Sequence, residues 1–161
     1  MTTIIIPDTV DKNSIQHATS IFANCTSLNS VTIGANIANI PDSAFLNSGS
    51  TEMGMTVTIK SGSKLEKVGQ KAFSGTKITA IDFSNCSALG TFGANAFEGS
   101  ELKSLVLPDA VTNTGNNTLF WGSGVFSGNG SLTTIGTKNG TVSGKVIIPE
   151  YVAVDKTSTK L

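Results

Sequence analysis

Short alternating segments recur along the chain: Val31-Thr32-Ile33, Val57-Thr58-Ile59, Ile81-Asp82-Phe83 and Leu105-Val106-Leu107, with starts 26, 24 and 24 residues apart. Apolar residues at every second position, many of them β-branched, mark a half-buried strand with one face inward. Between these segments a phenylalanine returns at positions 22, 45, 73, 97 and 126, each behind a small or branched residue (Ile21, Ala44, Ala72, Ala96, Val125). Its intervals are 23, 28, 24 and 29 residues. Two features that share one period of this size predict a repeat solenoid, because a unit so small cannot bury its apolar face alone and stacks on its neighbours.

Within each period a leucine or isoleucine stands three residues ahead of most strands (Leu28, Ile78, Leu102, and Leu132 ahead of Ile135). Further apolar residues follow the turn after the strand: Ile37, Ile40, Leu65, Val68, Leu89 and Phe92. They lead into Asp42-Ser43-Ala44-Phe45, Gln70-Lys71-Ala72-Phe73 and Ala94-Asn95-Ala96-Phe97. Such short pieces are too brief for a free-standing helix, and the pattern predicts a single turn of α- or 3₁₀-helix on the back of each coil. Strand alternation turns Val31, Ile33, Val57, Ile59, Ile81, Phe83, Leu105 and Leu107 inward. It leaves Ser30/Thr32, Thr56/Thr58, Ala80/Asp82 and Ser104/Val106 outward, a hydroxyl-rich stripe broken at Ala80, Asp82 and Val106.

The period breaks in three places. Twelve residues separate Phe45 from Val57, with the extra length around Met53 and Met55 in the loop entering the strand. Nineteen separate Leu107 from Phe126, a stretch that includes the Asn/Gly-rich run from Asn113 to Gly122. Trp121, the one tryptophan, lies there beside Leu119 and Phe120, where it either anchors a partner or folds back over the core. Third, Ile135 and Val146 are too close for successive coils, and Asn139-Gly140 between them predicts a C-terminal hairpin around residues 132–149.

The string Cys25-Thr26-Ser27-Leu28-Asn29-Ser30-Val31-Thr32-Ile33 is followed by Leu65-Glu66-Lys67-Val68-Gly69-Gln70-Lys71-Ala72-Phe73 and by Leu102-Lys103-Ser104-Leu105-Val106-Leu107-Pro108. Together they resemble the leucine-rich repeats of BspA-like surface proteins, over about residues 4–152. The sequence departs from that pattern where Ser48, Thr76, Ser100 and Asn129 stand in place of the cysteine three residues after each phenylalanine. The resemblance implies a parallel sheet of one strand per coil whose exposed face is the binding surface. Its candidate contacts are Ser30, Thr32, Thr56, Thr58, Asp82 and Ser104, to which the loop adds Phe120 and Trp121.

Composition narrows the function class. The formal charge is zero and all eleven basic residues are lysine, so the basic face and guanidinium forks of a nucleic-acid reader are missing. No run reaches the ~18 apolar residues of a membrane span. His17 is the sole histidine, and it does not cluster with Cys25 and Cys86. That argues against a catalytic triad and against a metal site, and no cofactor motif is found. The two thiols fall on coils too far apart for a disulfide and read as buried and free. Asp8, Asp109 and Glu150, each behind a strand proline, read as turn residues and not as a glycosidase pair.

The expectation is therefore a non-enzymatic domain spanning 1–161 in about five coils, binding a protein or glycan as an adhesion module of a secreted or cell-surface protein. The alternative is a structural spacer in a larger exported protein. Met1 to Pro7 shows neither the basic nor the long apolar region of a signal peptide. Nothing ahead of Ile4-Ile5-Ile6 caps the first coil, which predicts further repeats or a neighbouring domain at that end.

Overall fold

The computed structural model of the chain describes residues 2–11, 15, 17–108 and 119–137. They form ten short strands: β1 (Thr3–Ile5), β2 (Ser30–Ile33), β3 (Asn39–Ile40), β4 (Thr56–Ile59), β5 (Lys67–Val68), β6 (Ala80–Asp82), β7 (Thr91–Phe92), β8 (Ser104–Leu107), β9 (Phe120–Trp121) and β10 (Thr134–Thr137). The chain winds as a three-sided parallel solenoid. On the front side β1-β2-β4 and β6-β8-β10 pair in parallel, and β4 lies beside β6 without a ladder between them. The second side is the parallel sheet β3-β5-β7-β9. Each turn of the solenoid brings the same position of the repeat into register, so Val31 faces Val57, and Val68 faces Phe92.

The inward positions read from alternation are buried throughout, from Val31 and Ile33 to Leu105 and Leu107. Leu28, Ile78 and Leu102, the residues ahead of the strands, are fully enclosed. At the corner after the second sheet stands a glycine column, Gly69, Gly93 and Gly122. A Cβ at any of them would fall inside contact distance of the preceding coil's backbone. Gly122 follows β9, whose Phe120 and Trp121 pair with Thr91 and Phe92. The tail of the second insertion is thus a regular strand of the repeat. Its residues 109–118 lie outside the described part of the chain.

The third side differs from the sequence expectation. Instead of a helical turn, each phenylalanine sits in overlapping β-turns. The residues two before and two after it adopt left-handed backbone: Ser20 and Asn24, Ser43 and Asn47, Lys71 and Gly75, Asn95 and Gly99, Gly124 and Gly128. This alternation splits the backbone donors. The Ala44, Leu46 and Ser48 N–H groups close turns within their own coil, whereas those of Ser43, Phe45 and Asn47 donate to Gln70, Ala72 and Ser74 of the next coil at 2.8 Å each. A helix would direct all its donors along its own axis and leave the coils unlinked on this side. Positive φ is what a turn with a left-handed third residue demands, and Gly, Asn and Ser fill most of these sites.

The phenylalanine rings stack through the interior as a ladder. Phe22–Phe45, Phe45–Phe73, Phe73–Phe97 and Phe97–Phe126 have centroids 5.3, 5.3, 5.4 and 5.9 Å apart, with ring planes within 21°. Beside the ladder runs a column of buried polar groups at the position where the repeat motif has cysteine. Ser48 Oγ donates to the Phe22 carbonyl at 2.6 Å and accepts the Cys25 N–H at 3.0 Å. Asn129 Nδ2 donates to the Phe97 and Phe126 carbonyls, and its Oδ1 accepts from Ser100 Oγ and the Leu102 N–H. These side chains satisfy backbone groups that the turns leave open, so their burial carries no unpaired polar atom. Of the predicted hairpin, residues 132–137 are described, and their strand β10 pairs in parallel with β8. The other limb lies outside the described residues.

Phe73 is fully buried and, like Phe45 and Phe97, stacked on both sides. Phe73→Ala is expected to cost about 3–5 kcal/mol in urea unfolding. Lys71, exposed at φ 53, carries the strain of a left-handed side-chain-bearing residue. Lys71→Gly is expected to stabilise the chain by up to about 1 kcal/mol, seen as a rise in Tm.

Candidate functional site

The front sheet sets its outward residues in two rows. Register places Thr3, Ser30 and Thr56 in one row and Ile5, Thr32 and Thr58 in the other. After the gap between β4 and β6, Ala80 faces Ser104 and Asp82 faces Val106. Thr56, Thr58, Ala80 and Asp82 are exposed, while Ser30, Thr32, Ser104 and Val106 are half-buried. The structure thus gathers Ser30, Thr32, Thr56, Thr58, Asp82 and Ser104 on one face of the molecule. Asp82 also serves the fold, since its Oδ1 accepts the Ser84 N–H at 2.7 Å and shapes the turn after β6.

Two apolar residues on this face escape a polar-stripe reading of the sequence. Ile5 is 65% exposed at the N-terminal end of the second row. Strand alternation carried back to β1 locates it, because Ile4 is the inward residue there. Met53 is 76% exposed at the margin of the face, in the first insertion. The loop closes on itself, with Gly54 N–H donating to the Ser50 carbonyl at 2.9 Å and Ser50 Oγ accepting from the Glu52 and Met53 amides. Asn29 Nδ2, one residue before β2, reaches the Met53 sulfur at 3.4 Å. Met55, two residues on, is buried.

Phe120 and Trp121 do not join the stripe, because β9 belongs to the second sheet. Trp121 occupies the inward column of Ile40, Val68 and Phe92. It is 5% exposed and stacks on Phe92 at 5.0 Å. Of the two sequence readings of Trp121, the structure matches the one that turns it onto the core, and its place among the candidate contacts is corrected: its surface is already covered by Phe92 and Phe126. Phe120 is 62% exposed on the outer column with Asn39, Lys67 and Thr91, away from the hydroxyl rows.

The groups with potential chemistry serve the scaffold or stand apart. Asp8 lies in the turn after Pro7, where Oδ1 accepts the Ala35 N–H at 2.7 Å and Oδ2 pairs with Lys60 Nζ at 2.9 Å. The Lys60 hydrogen bond, with help from the Ala35 amide, holds this exposed carboxyl below its ordinary pKa. Asp109 and Glu150, the other two expected turn acids, lie outside the described residues. His17 borders a polar hollow of about 280 Å³ with Asn39, Asp42 and Lys67. Among the described residues no three His, Cys, Asp or Glu side chains converge.

Both cysteines are free, but only Cys86 is fully buried; Cys25 is half-buried. Burial pushes the Cys86 thiol up to about 11 against a lowering Ser63 hydrogen bond, so it stays protonated and unreactive at neutral pH. At pH 8, iodoacetamide is expected to alkylate Cys25 at least ~100-fold faster than Cys86 in the folded chain. Urea should abolish the difference, as read by peptide mass spectrometry.

The comparisons with known proteins agree with this geometry. The BspA type leucine-rich repeat region matches in six copies over residues 1–125. The crystal structure of the pneumococcal vaccine antigen PcpA superposes with a TM-score of 0.55 at 21% identity, covering 86% of this chain and 41% of that one. A leucine-rich repeat protein from Bacteroides ovatus superposes with a TM-score of 0.57 at 21% identity, covering 83% and 39%. The chain thus spans about two fifths of the length of each. No curated protein matches the sequence. With its repeat pattern matched over most of its length and its coils stacked in register, the chain belongs to the BspA-type leucine-rich repeat family.

Proposed function

We propose that the chain is a non-enzymatic interaction module of an exported or cell-surface protein, and that its front sheet is the contact face for a protein or glycan partner. The observation that carries this reading is the solvent-facing front side, where Ser30, Thr32, Thr56 and Thr58 stand in register on one parallel sheet and Asp82 and Ser104 stand on the sheet beside it. Hydroxyls held at the strand spacing offer donors and acceptors that need no reordering on binding. A pneumococcal neighbour described as a vaccine antigen supports a surface location.

Area sets what the face can do alone. Strands ~4.8 Å apart and a few residues long give roughly 250 Å² of stripe, against about 800 Å² per partner in a standard interface. Ile5 and the Met53 loop enlarge the face toward its N-terminal half and supply the apolar contact that hydroxyls lack. Adhesion is the specific role this proposal assigns.

In a binding screen against extracellular-matrix proteins and glycans, a Thr32→Lys/Thr58→Glu variant is expected to lose affinity for any hit at least ~10-fold while keeping the parental Tm, because both side chains face outward and the paired charges are opposite. Phe120→Ala, on the other sheet, should leave the hit unchanged. Binding that survives the double substitution would remove the front face from the proposal, and silence across the whole screen would favour the spacer role.

A further inference from the structure

The first insertion carries two methionines, two residues apart, in opposite surroundings. Met55 is 5% exposed and belongs to the core, whereas Met53 is 76% exposed at the margin of the front face. Gly54 between them, at φ 72, turns the chain so that one side chain enters the molecule and the other leaves it.

Met53 is exposed but its loop is moored. The Gly49 N–H donates to the Cys25 carbonyl at 3.2 Å and the Ser50 N–H to the Leu28 carbonyl at 3.0 Å. Ser50 Oγ accepts the Glu52 and Met53 amides at 3.3 Å each. The thioether has a partner of its own, since Asn29 Nδ2 donates to the Met53 sulfur at 3.4 Å. Asn29 is fixed on both sides, its N–H donating to the Thr2 carbonyl at 2.8 Å and its carbonyl accepting the Thr56 N–H at 2.9 Å. A thioether is a weak acceptor and gains little from this donor, whereas a sulfoxide oxygen at the same place is polar and gains a full hydrogen bond.

We propose that Met53 is a reversible oxidation site, whose sulfoxide is held by the Asn29 amide and turns the margin of the front face from apolar to polar. The oxidant is a hydroperoxide such as hydrogen peroxide. A sulfur lone pair attacks one peroxide oxygen, and the S–O bond forms as the O–O bond breaks. Sulfur gives up two electrons, and the proton on the attacked oxygen passes to the departing one, which leaves as water. Exposure admits the oxidant to Met53, and burial denies it to Met55, whose oxidation would place a polar group in the core. Rotation about the Cγ–Sδ bond of this unbranched side chain brings the new oxygen to Asn29 Nδ2. Return to the thioether, by a methionine sulfoxide reductase with a dithiol as reductant, needs the same access and releases the oxygen as water. This chemistry is independent of what the front face binds.

The test treats the full chain with hydrogen peroxide at neutral pH and follows each methionine by peptide mass spectrometry. Met53 is expected to gain oxygen at least ~10-fold faster than Met55, with the Tm retained. The Asn29 side-chain amide protons should move downfield in the NMR spectrum as the sulfoxide forms, and retention on a hydrophobic-interaction column should fall. Both methionine sulfoxide reductases with dithiothreitol should return mass, resonance and retention to their starting values. A Met53→Leu chain keeps the apolar margin and should lose most of the peroxide-dependent change in retention. Oxidation of Met53 and Met55 at equal rates would overturn the proposal. So would an unmoved Asn29 resonance, or a sulfoxide that the reductases leave unrepaired in the folded chain.

Discussion

Each phenylalanine turn divides its backbone donors between two destinations, and the rest of the fold depends on that division. Alternate N–H groups close turns within the coil, and those between them tie the coil to the next one. The left-handed residues two places either side of each phenylalanine make the division possible within a curled chain, because alternating backbone hand turns successive amides in opposite directions where a helical turn would align them. At roughly 1 kcal/mol net per bond, no single link decides stability, but three per interface recur at every step beside a stacked ring. The spacing between coils is thereby held on the side that has no sheet. The two sheets then add their own ladders at the same rise.

This arrangement also explains how a chain so rich in Ser, Asn and Gly can bury a core. Turn residues dominate because each coil changes direction three times, and polar side chains such as Ser48, Ser100 and Asn129 are drawn inside to satisfy the backbone at one corner. Where the family motif places cysteine, any short hydrogen-bonding side chain serves, since the demand comes from carbonyl and amide groups of the adjoining coils and not from sulfur chemistry. Polar residues of the interior and polar residues of the front face therefore have unlike roles. The first are bonded to backbone, and the second are open to solvent.

The repeat's separation of surfaces bears on function. Hydroxyl rows, Ile5 and the Met53 loop share the front, whereas Phe120 projects from the second sheet and Trp121 does not project at all. A candidate set that sequence proximity would join is split by the geometry of the winding. Binding through the front leaves the phenylalanine side and the second sheet free.

The period, the inward residues of the front strands and the phenylalanine spine were determined by the sequence alone, because burial at a fixed spacing imprints itself on residue type. The stripe of Ser30, Thr32, Thr56, Thr58, Asp82 and Ser104 followed from the same alternation. Three matters needed the tertiary structure. A two-residue strand such as β9 has no alternation to recognise, so Trp121 looked like a loop residue until its pairing with Phe92 placed it in the core. The turns at Ser43-Ala44-Phe45 carry no local mark that separates them from a helical turn, because the carbonyls that claim their alternate amides belong to Gln70, Ala72 and Ser74, more than twenty residues away. And the direction in which each phenylalanine turn donates to its neighbour appears only once those long-range bonds are formed, since it is a property of the stack and not of any repeat within it.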